Sequence, residues 1–320
     1  MRDNKKKIIL MTLVAITFLT LFVVWGLTAK NYRFNLSIRI PKVLGILIAG
    51  TSISVASILF QTITNNRIIT PSIIGLDSLY SLVQTFVVFV FGSTSLFMVN
   101  KTINFLSSGT LMIVLAMILF KVVLKKAKNN IFFLLLVGTV IGTLFRSMSS
   151  FMQVLIDPNE FDALQTKLYA SFSFVNTEII MVSIIILIIL LLFLWKDFKK
   201  LDVMSLGREQ AINLGVDYDK FSQKILIIVA ILVSLSTALV GSITFLGILV
   251  VNLTYEITKT YKHSELLIVG ALISIIALVG GQFLVEKIFN FNTTISIIIN
   301  FIGGIYFINL LLKESKLWYK

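Results

Sequence analysis

Apolar residues run along this chain in long unbroken stretches, neither alternating with polar ones nor confined to one helical face. Between short polar breaks they occupy residues 8 to 29, 43 to 63, 72 to 92, 103 to 124, 131 to 155, 178 to 195, 225 to 240, 266 to 285 and 294 to 312. A helix needs about 20 apolar residues to cross a hydrocarbon core of about 30 Å, so each stretch predicts a membrane span. Continuous runs exclude a transmembrane β-barrel, whose strands alternate. The stretch from Ser242 to Ile257 is shorter and broken by glycine, and it predicts a short tenth crossing. The first run follows "MRDNKKK". It is too long for the apolar region of a signal peptide and lacks a small-residue cleavage site, so it reads as a span. The expectation is an all-α polytopic membrane protein of ten helices, in a single domain over residues 1 to 320.

Composition sharpens this picture. Hydrophobic residues make up 57% of the chain and charged residues 13%, against roughly a quarter charged in soluble domains. There is no cysteine, which removes disulfides, thiol catalysis and cysteine metal sites. The formal net charge of +13 would suit nucleic acid in a soluble protein, but membrane proteins gather Lys and Arg on cytoplasmic loops. If the N-terminus is inside and the chain crosses ten times, twenty of the 28 Lys and Arg fall on the cytoplasmic side. Seven fall outside: Lys30, Arg33, Arg39, Lys42, Lys101, Lys167 and Lys287, while Arg146 lies within a span. The asymmetry predicts both termini in the cytoplasm. Without the tenth crossing the basic C-terminus would lie outside. The contact partner implied is membrane lipid, with no nucleic acid.

One stretch breaks the apolar pattern. "KKLDVMSLGREQAINLGVDYDKF", Lys199 to Phe221, places eight charged residues and two glycines between the sixth and seventh spans, on the cytoplasmic side. Ser205 is placed to cap a short helix, Leu206 to Leu214, which Gly215 would end in the left-handed conformation. Asp217 is placed to cap the next helix. A nine-residue helix reaches only about 14 Å, too short to span. It is either a solvated connector or a docking surface for a cytoplasmic partner.

Within it, "SLGREQAINLGVD" resembles the coupling segment of permeases in the iron-siderophore and cobalamin (FecCD-type) family of ABC importers. "RIPKVLGILIAGTSISVASILFQTITNN" is similar to that family's entry into the second span, "TPSIIG" to its turn into the third, and "GSITFLGILVVNL" to its Gly-x-x-x-Phe-x-Gly-Leu segment. Four motifs stand in the family's order across nearly the whole chain. Three departures stand beside them: Asn252 and Leu253 replace Pro-His, Lys42 an arginine, and Arg67 a proline. The Asn-Leu ending resembles a subgroup serving ferric catecholate-type siderophores with two different permeases. The resemblance implies a ten-helix permease paired with a second permease subunit, two cytoplasmic ATPase subunits and an external substrate-binding protein, carrying a ferric siderophore. No Gly-x-x-x-x-Gly-Lys-Ser/Thr occurs, so ATP belongs to another chain and no cofactor is implied here. ATPase coupling then falls to Ser205, Leu206, Gly207, Arg208, Glu209, Gln210, Ala211, Leu214 and Gly215. Leu206, Ala211 and Leu214 form its apolar contact, and Arg208, Glu209 and Gln210 its polar rim.

Single residues carry two readings each. Arg39 and Lys42 flank Pro41 at the outer start of the second span. They are interfacial anchors that snorkel to headgroups, or, as the resemblance implies, they dock the binding protein together with Lys287. Arg146 sits mid-span, where a charge costs about 2.5 to 3.5 kcal/mol. It therefore faces the bundle interior, with a partner such as Gln153, or a water-filled path for an anionic chelate. Asp77 is expected at the inner end of the third span, either paired with Arg67 or facing the path. Asp157, Glu160 and Asp162 read as a solvated acidic outer loop, and His263, the one histidine, as a surface residue. Small residues at helix-packing spacing, Gly138 with Gly142 and Gly45 with Ala49, predict close helix approach.

Two rival classes remain. A secondary transporter would use charged or broken-helix sites near the midplane. An intramembrane enzyme would need a nucleophile, base or metal motif within the spans, and none is visible.

Overall fold

The computed structural model describes residues 2–28, 31–126, 131–173 and 175–318. Ala29, where the first apolar run ends, and Lys30, Lys128 and Lys320, which enter the charge asymmetry, lie outside the described residues. In chain order the helices are α1 (Arg2–Val24), α2 (Tyr32–Thr64), α3 (Leu76–Phe91), α4 (Leu96–Val99), α5 (Lys101–Lys126), α6 (Ile131–Leu155) and α7 (Pro158–Leu168). There follow α8 (Thr177–Trp195), α9 (Phe198–Met204), α10 (Arg208–Asn213), α11 (Tyr218–Val240), α12 (Leu246–Thr258), α13 (His263–Lys287) and α14 (Ile295–Trp318). Helices α1, α2, α5, α6, α8, α11, α13 and α14 are long and apolar enough to cross a membrane, and α3 and α12 are shorter apolar helices. Together they are the ten apolar helices of the bundle among the described residues.

Side-chain bonds fix the relative directions. Asn4 Nδ2 donates to Glu265 Oε2 at 2.7 Å, so α1 and α13 begin at the same end, here the proximal end. Lys42 Nζ and Glu286 Oε1 pair at 2.7 Å at the other, distal end. Helix α2 is the axle of the bundle, with 72% of its most apolar window buried against 11% for α1. It packs against α11, α12 and α13 through buried aliphatics such as Ile48, Ile58 and Leu59, brought close by small residues at the crossings. A Cβ on Gly270 would stand 2.5 Å from Ser54 Oγ, and one on Gly247 2.3 Å from Ser57 Oγ. In lipid, where apolar surface gains little from being covered by more apolar surface, such close backbone approach is what drives helices together.

The expected contact at Gly138 and Gly142 is realised. Gly75, at φ +88°, seats its backbone against Gly142, where an added Cβ would meet Gly142 Cα at 2.5 Å. The turn before α3 therefore lies on α6.

Helices α3 and α12 have 16 and 13 residues, reaching about 24 and 20 Å, so neither crosses the layer as helix alone. Each is entered by non-helical backbone, 65–75 and 241–245 respectively. These entries converge, since a Cβ on Gly247 would stand 3.4 Å from Thr70 Cγ2. Non-helical backbone survives at such depth only when it is hydrogen-bonded within protein. Ser171 N–H donates to Val240 O at 2.8 Å, and Tyr169 bridges Ser242. The segment expected to make the tenth crossing is an apolar helix, but it begins at Leu246 rather than just after Gly241. The acidic stretch expected as a loop is helix α7: Asp157 caps it by accepting from Asn159 N–H, with Pro158 in the first turn.

Candidate functional site at the proximal end

Helices α9 and α10 stand beyond the spans at the proximal end, joined by Ser205 to Gly207. The expected helix from Leu206 to Leu214 is shorter, Arg208–Asn213, and Ser205 does not cap it. Ser205 instead closes α9, donating from Oγ to Asp202 O at 2.6 Å. Gly207, at φ +98°, is the N-cap of α10 and makes the sharp turn that a side chain would resist. The C-terminus follows expectation. Gly215 is left-handed at φ +83°, and bonds Gly215 N to Ile212 O and Val216 N to Ala211 O form a Schellman end. Asp217 caps α11 by accepting from Lys220 N–H. The hydrogen bond and charge of Lys220 hold its carboxyl below the ordinary value.

The faces of α10 differ from expectation in one respect. Ala211 is fully buried in the joint with the bundle, so it cannot touch a partner. Leu206, Ile212 and Leu214 are the exposed apolar group, at 56%, 45% and 62%. Arg208 pairs with Asp219 at 3.2 Å, while Glu209 and Gln210 are exposed. Ile212 escaped the sequence reading because the face of so short a helix that meets the bundle is chosen by tertiary packing, here at Ala211.

Several bonds fasten this segment to the spans. Asp197, buried at the start of α9, pairs with Lys224 of α11. Tyr218 Oη donates to Ile63 O at 2.9 Å. His263, expected on the surface, is fully buried. Its Nδ1 and Asp202 Oδ1 lie 2.7 Å apart, its backbone N–H donates to the same Oδ1 at 2.8 Å, and its Nε2 is 2.7 Å from Thr62 Oγ1. Sequence alone gave no sign of this, because both partners are distant in the chain. Beside the ring a cleft of about 580 Å³ opens, lined by Asn65, Arg67, Ser205, Tyr255 and Lys259 among others. Arg67 does not pair with Asp77; its guanidinium stacks 4.7 Å above the Tyr255 ring.

Asp77 instead sits in the first turn of α3, within the layer, faced by hydroxyls of Thr244, Ser72 and Ser242 and within electrostatic reach of Arg146. Its Oδ2 is buried without a hydrogen bond. Arg146 is exposed on α6, and Gln153, its expected partner, donates to Thr85 instead. Thr139, Thr143, Ser147 and Ser150 are exposed on the same helix, giving α6 a polar stripe along an otherwise apolar span.

At the distal end, Arg39 and Lys42 are turned inward rather than presented for docking. Arg39 Nη1 donates to Val23 O and Trp25 O, each at 2.7 Å, and so closes the end of α1. Lys42 is buried in its pair with Glu286. A buried cation must find such partners or leave the interior. Lys287 is exposed, next to Ile288, Phe289 and Phe291, at 61%, 45% and 57%.

The FecCD transport family model matches residues 7–313. The petrobactin import system permease protein YclO of Bacillus subtilis (strain 168) is 55% identical over 98% of this chain and 99% of its own. The petrobactin import system permease protein FatC of Bacillus anthracis is 37% identical over 87% of this chain and 79% of its own. Among solved structures, an inward-facing metal-chelate type ABC transporter superposes with a TM-score of 0.81 at 21% identity, covering 97% of this chain and 99% of that one.

Proposed function

Because the chain belongs to the FecCD transport family, we propose that it is the permease through which an ABC importer passes a ferric siderophore, with petrobactin the leading substrate. The observation that carries this reading is the exposed apolar group at α10, with Leu206 just before Gly207, Ile212 on the helix and Leu214 at its C-cap before Gly215, beyond the spans. A helix bundle can respond to a cytoplasmic motor only through a stiff element projecting from it. Two ATPase subunits are the partners of this surface, one per permease, and ATP is hydrolysed on them. The similarity to two petrobactin permeases supports the substrate.

The polar stripe of α6 supports the path. Arg146 exposed to hydrocarbon would cost about 2.5 to 3.5 kcal/mol, so this face is covered by a second permease, a paralogue, across a water-filled route. An anionic chelate on that route meets a cation, and Asp77 lies behind it at the meeting of the two broken entries. The proximal end, with both termini, is cytoplasmic. At the distal end Lys287 and the apolar residues beside it receive the binding protein.

Co-purification of the chain with its associated subunits, reconstitution into vesicles and uptake of radiolabelled ferric chelates test the reading. ATP-dependent accumulation of ferric petrobactin is the expected result. ATP-independent accumulation driven by an ion gradient would replace it with a secondary carrier.

A further inference from the structure

The buried chain of bonds Asp202, His263 and Thr62 links three elements through one ring. Asp202 is on α9, the element leading to α10; His263 opens α13; Thr62 is in the last turn of α2. Asp202 Oδ1 accepts from the His263 amide at 2.8 Å and lies 2.7 Å from the ring Nδ1, while Nε2 lies 2.7 Å from Thr62 Oγ1. The ring thus bridges α9 and α2 through both of its nitrogens. A hydroxyl, an imidazole and a carboxylate in line resemble a hydrolase triad, but Thr62 is buried and its hydroxyl lies 2.8 Å from Ile58 O of its own helix. The assembly therefore holds elements together rather than performing acyl chemistry.

Its position gives the holding a purpose. Tyr218, just past the other end of α10, donates to Ile63 O, the residue next to Thr62. The segment is thus tied at both ends to one turn of α2, the most buried helix of the bundle. This inference rests on the coupling role proposed above. We propose that His263 is a positioning residue that, bonded through both ring nitrogens, locks the coupling segment to the last turn of α2 so that a displacement of α10 moves α2. Loss of either bond opens one link, and the segment moves without α2.

The absence of cysteine permits a direct test. Spin labels at Lys200→Cys on α9 and Asn66→Cys after α2, in the complete complex with its ATPase, report the separation of the two elements with and without a non-hydrolysable ATP analogue. The expected result is one narrow distance distribution that nucleotide leaves unchanged, and a broad or nucleotide-dependent one in Thr62→Val and His263→Gln. In reconstituted vesicles the same variants should still hydrolyse ATP while chelate moved per ATP falls at least tenfold. Unchanged distances and ratios in both variants overturn the proposal. So does failure of Thr62→Val, which keeps the side-chain shape, to assemble, because the chain of bonds would then serve folding. The distance measurement needs no substrate, so an unmodified complex that carries no ferric petrobactin defeats the substrate reading and leaves the lock to be judged by the labels.

Discussion

A glycine at a crossing is the residue-scale lesson of this bundle. Gly75→Ala adds a Cβ 2.5 Å from Gly142 Cα, at a φ of +88° that a side chain resists. Backbone cannot yield as the tip of a side chain does, so the loss should reach about 3 kcal/mol or more. The melting temperature in detergent should drop well below that of Gly215→Ala, whose Cβ meets nothing within 4 Å and whose cost is mainly the left-handed φ, about 1 kcal/mol. Equal losses would refute the packing account. Asp202 supplies a pH prediction. Burial raises its carboxyl, but the hydrogen bonds from the His263 ring and amide, with the charges of His263 and Lys262, outweigh this and hold it below the ordinary value. A depressed folded value gives stability that is complete above the unfolded value, about 3.9, and is lost as pH falls through the folded one. Hydrogen exchange at the His263 amide should stay protected at mildly acid pH and open only in strong acid. Histidine at 263 was invisible as a buried residue because nothing local distinguishes a loop histidine from one whose partners lie 61 and 201 positions away.

At the scale of elements, α10 separates two kinds of substitution that the sequence placed together. Ala211→Glu puts a carboxylate into the fully buried joint and should loosen the segment itself. Ile212→Glu with Leu214→Glu changes only the exposed face. The double variant should insert and pair with its partner permease normally while retaining less than a tenth of the bound ATPase in pull-downs. Full ATPase recruitment would reduce α10 to a connector. The positions of both end glycines and of the Asp217 cap were legible, because positive φ and helix capping are local properties. The loss of the Ser205 cap was not, since the hydroxyl had a second acceptor at Asp202 O, and only the path of α9 decides between them.

For the whole molecule, the charge asymmetry predicts the membrane orientation. Reporter fusions after Lys262 and at Lys320 should both read cytoplasm, and an external signal at either would break the ten-crossing arrangement. Arg146 predicts pairing. Arg146→Leu should leave insertion unchanged or improve it, because the insertion cost of about 2.5 to 3.5 kcal/mol is removed. Uptake of the anionic chelate should fall severalfold. Undiminished uptake would take this face out of the path and leave it as a packing surface for the second permease.

The ten spans and the exposed coupling segment followed from sequence alone, because hydrocarbon thickness sets a length and an apolarity that each span must meet independently of its neighbours. The four family motifs were likewise contiguous. What a charge touches is a different kind of fact. Arg39, Lys42, Asp77 and His263 took their roles from Val23, Glu286, Thr244 and Asp202, residues on other elements. A polar group withdrawn from water is bound to find a partner, but the sequence does not say which helix brings it. Only the packing of α2 against α13, and of the broken entries against each other, made those pairs, because Gly and Ser let the backbones approach closely enough for the side chains to meet.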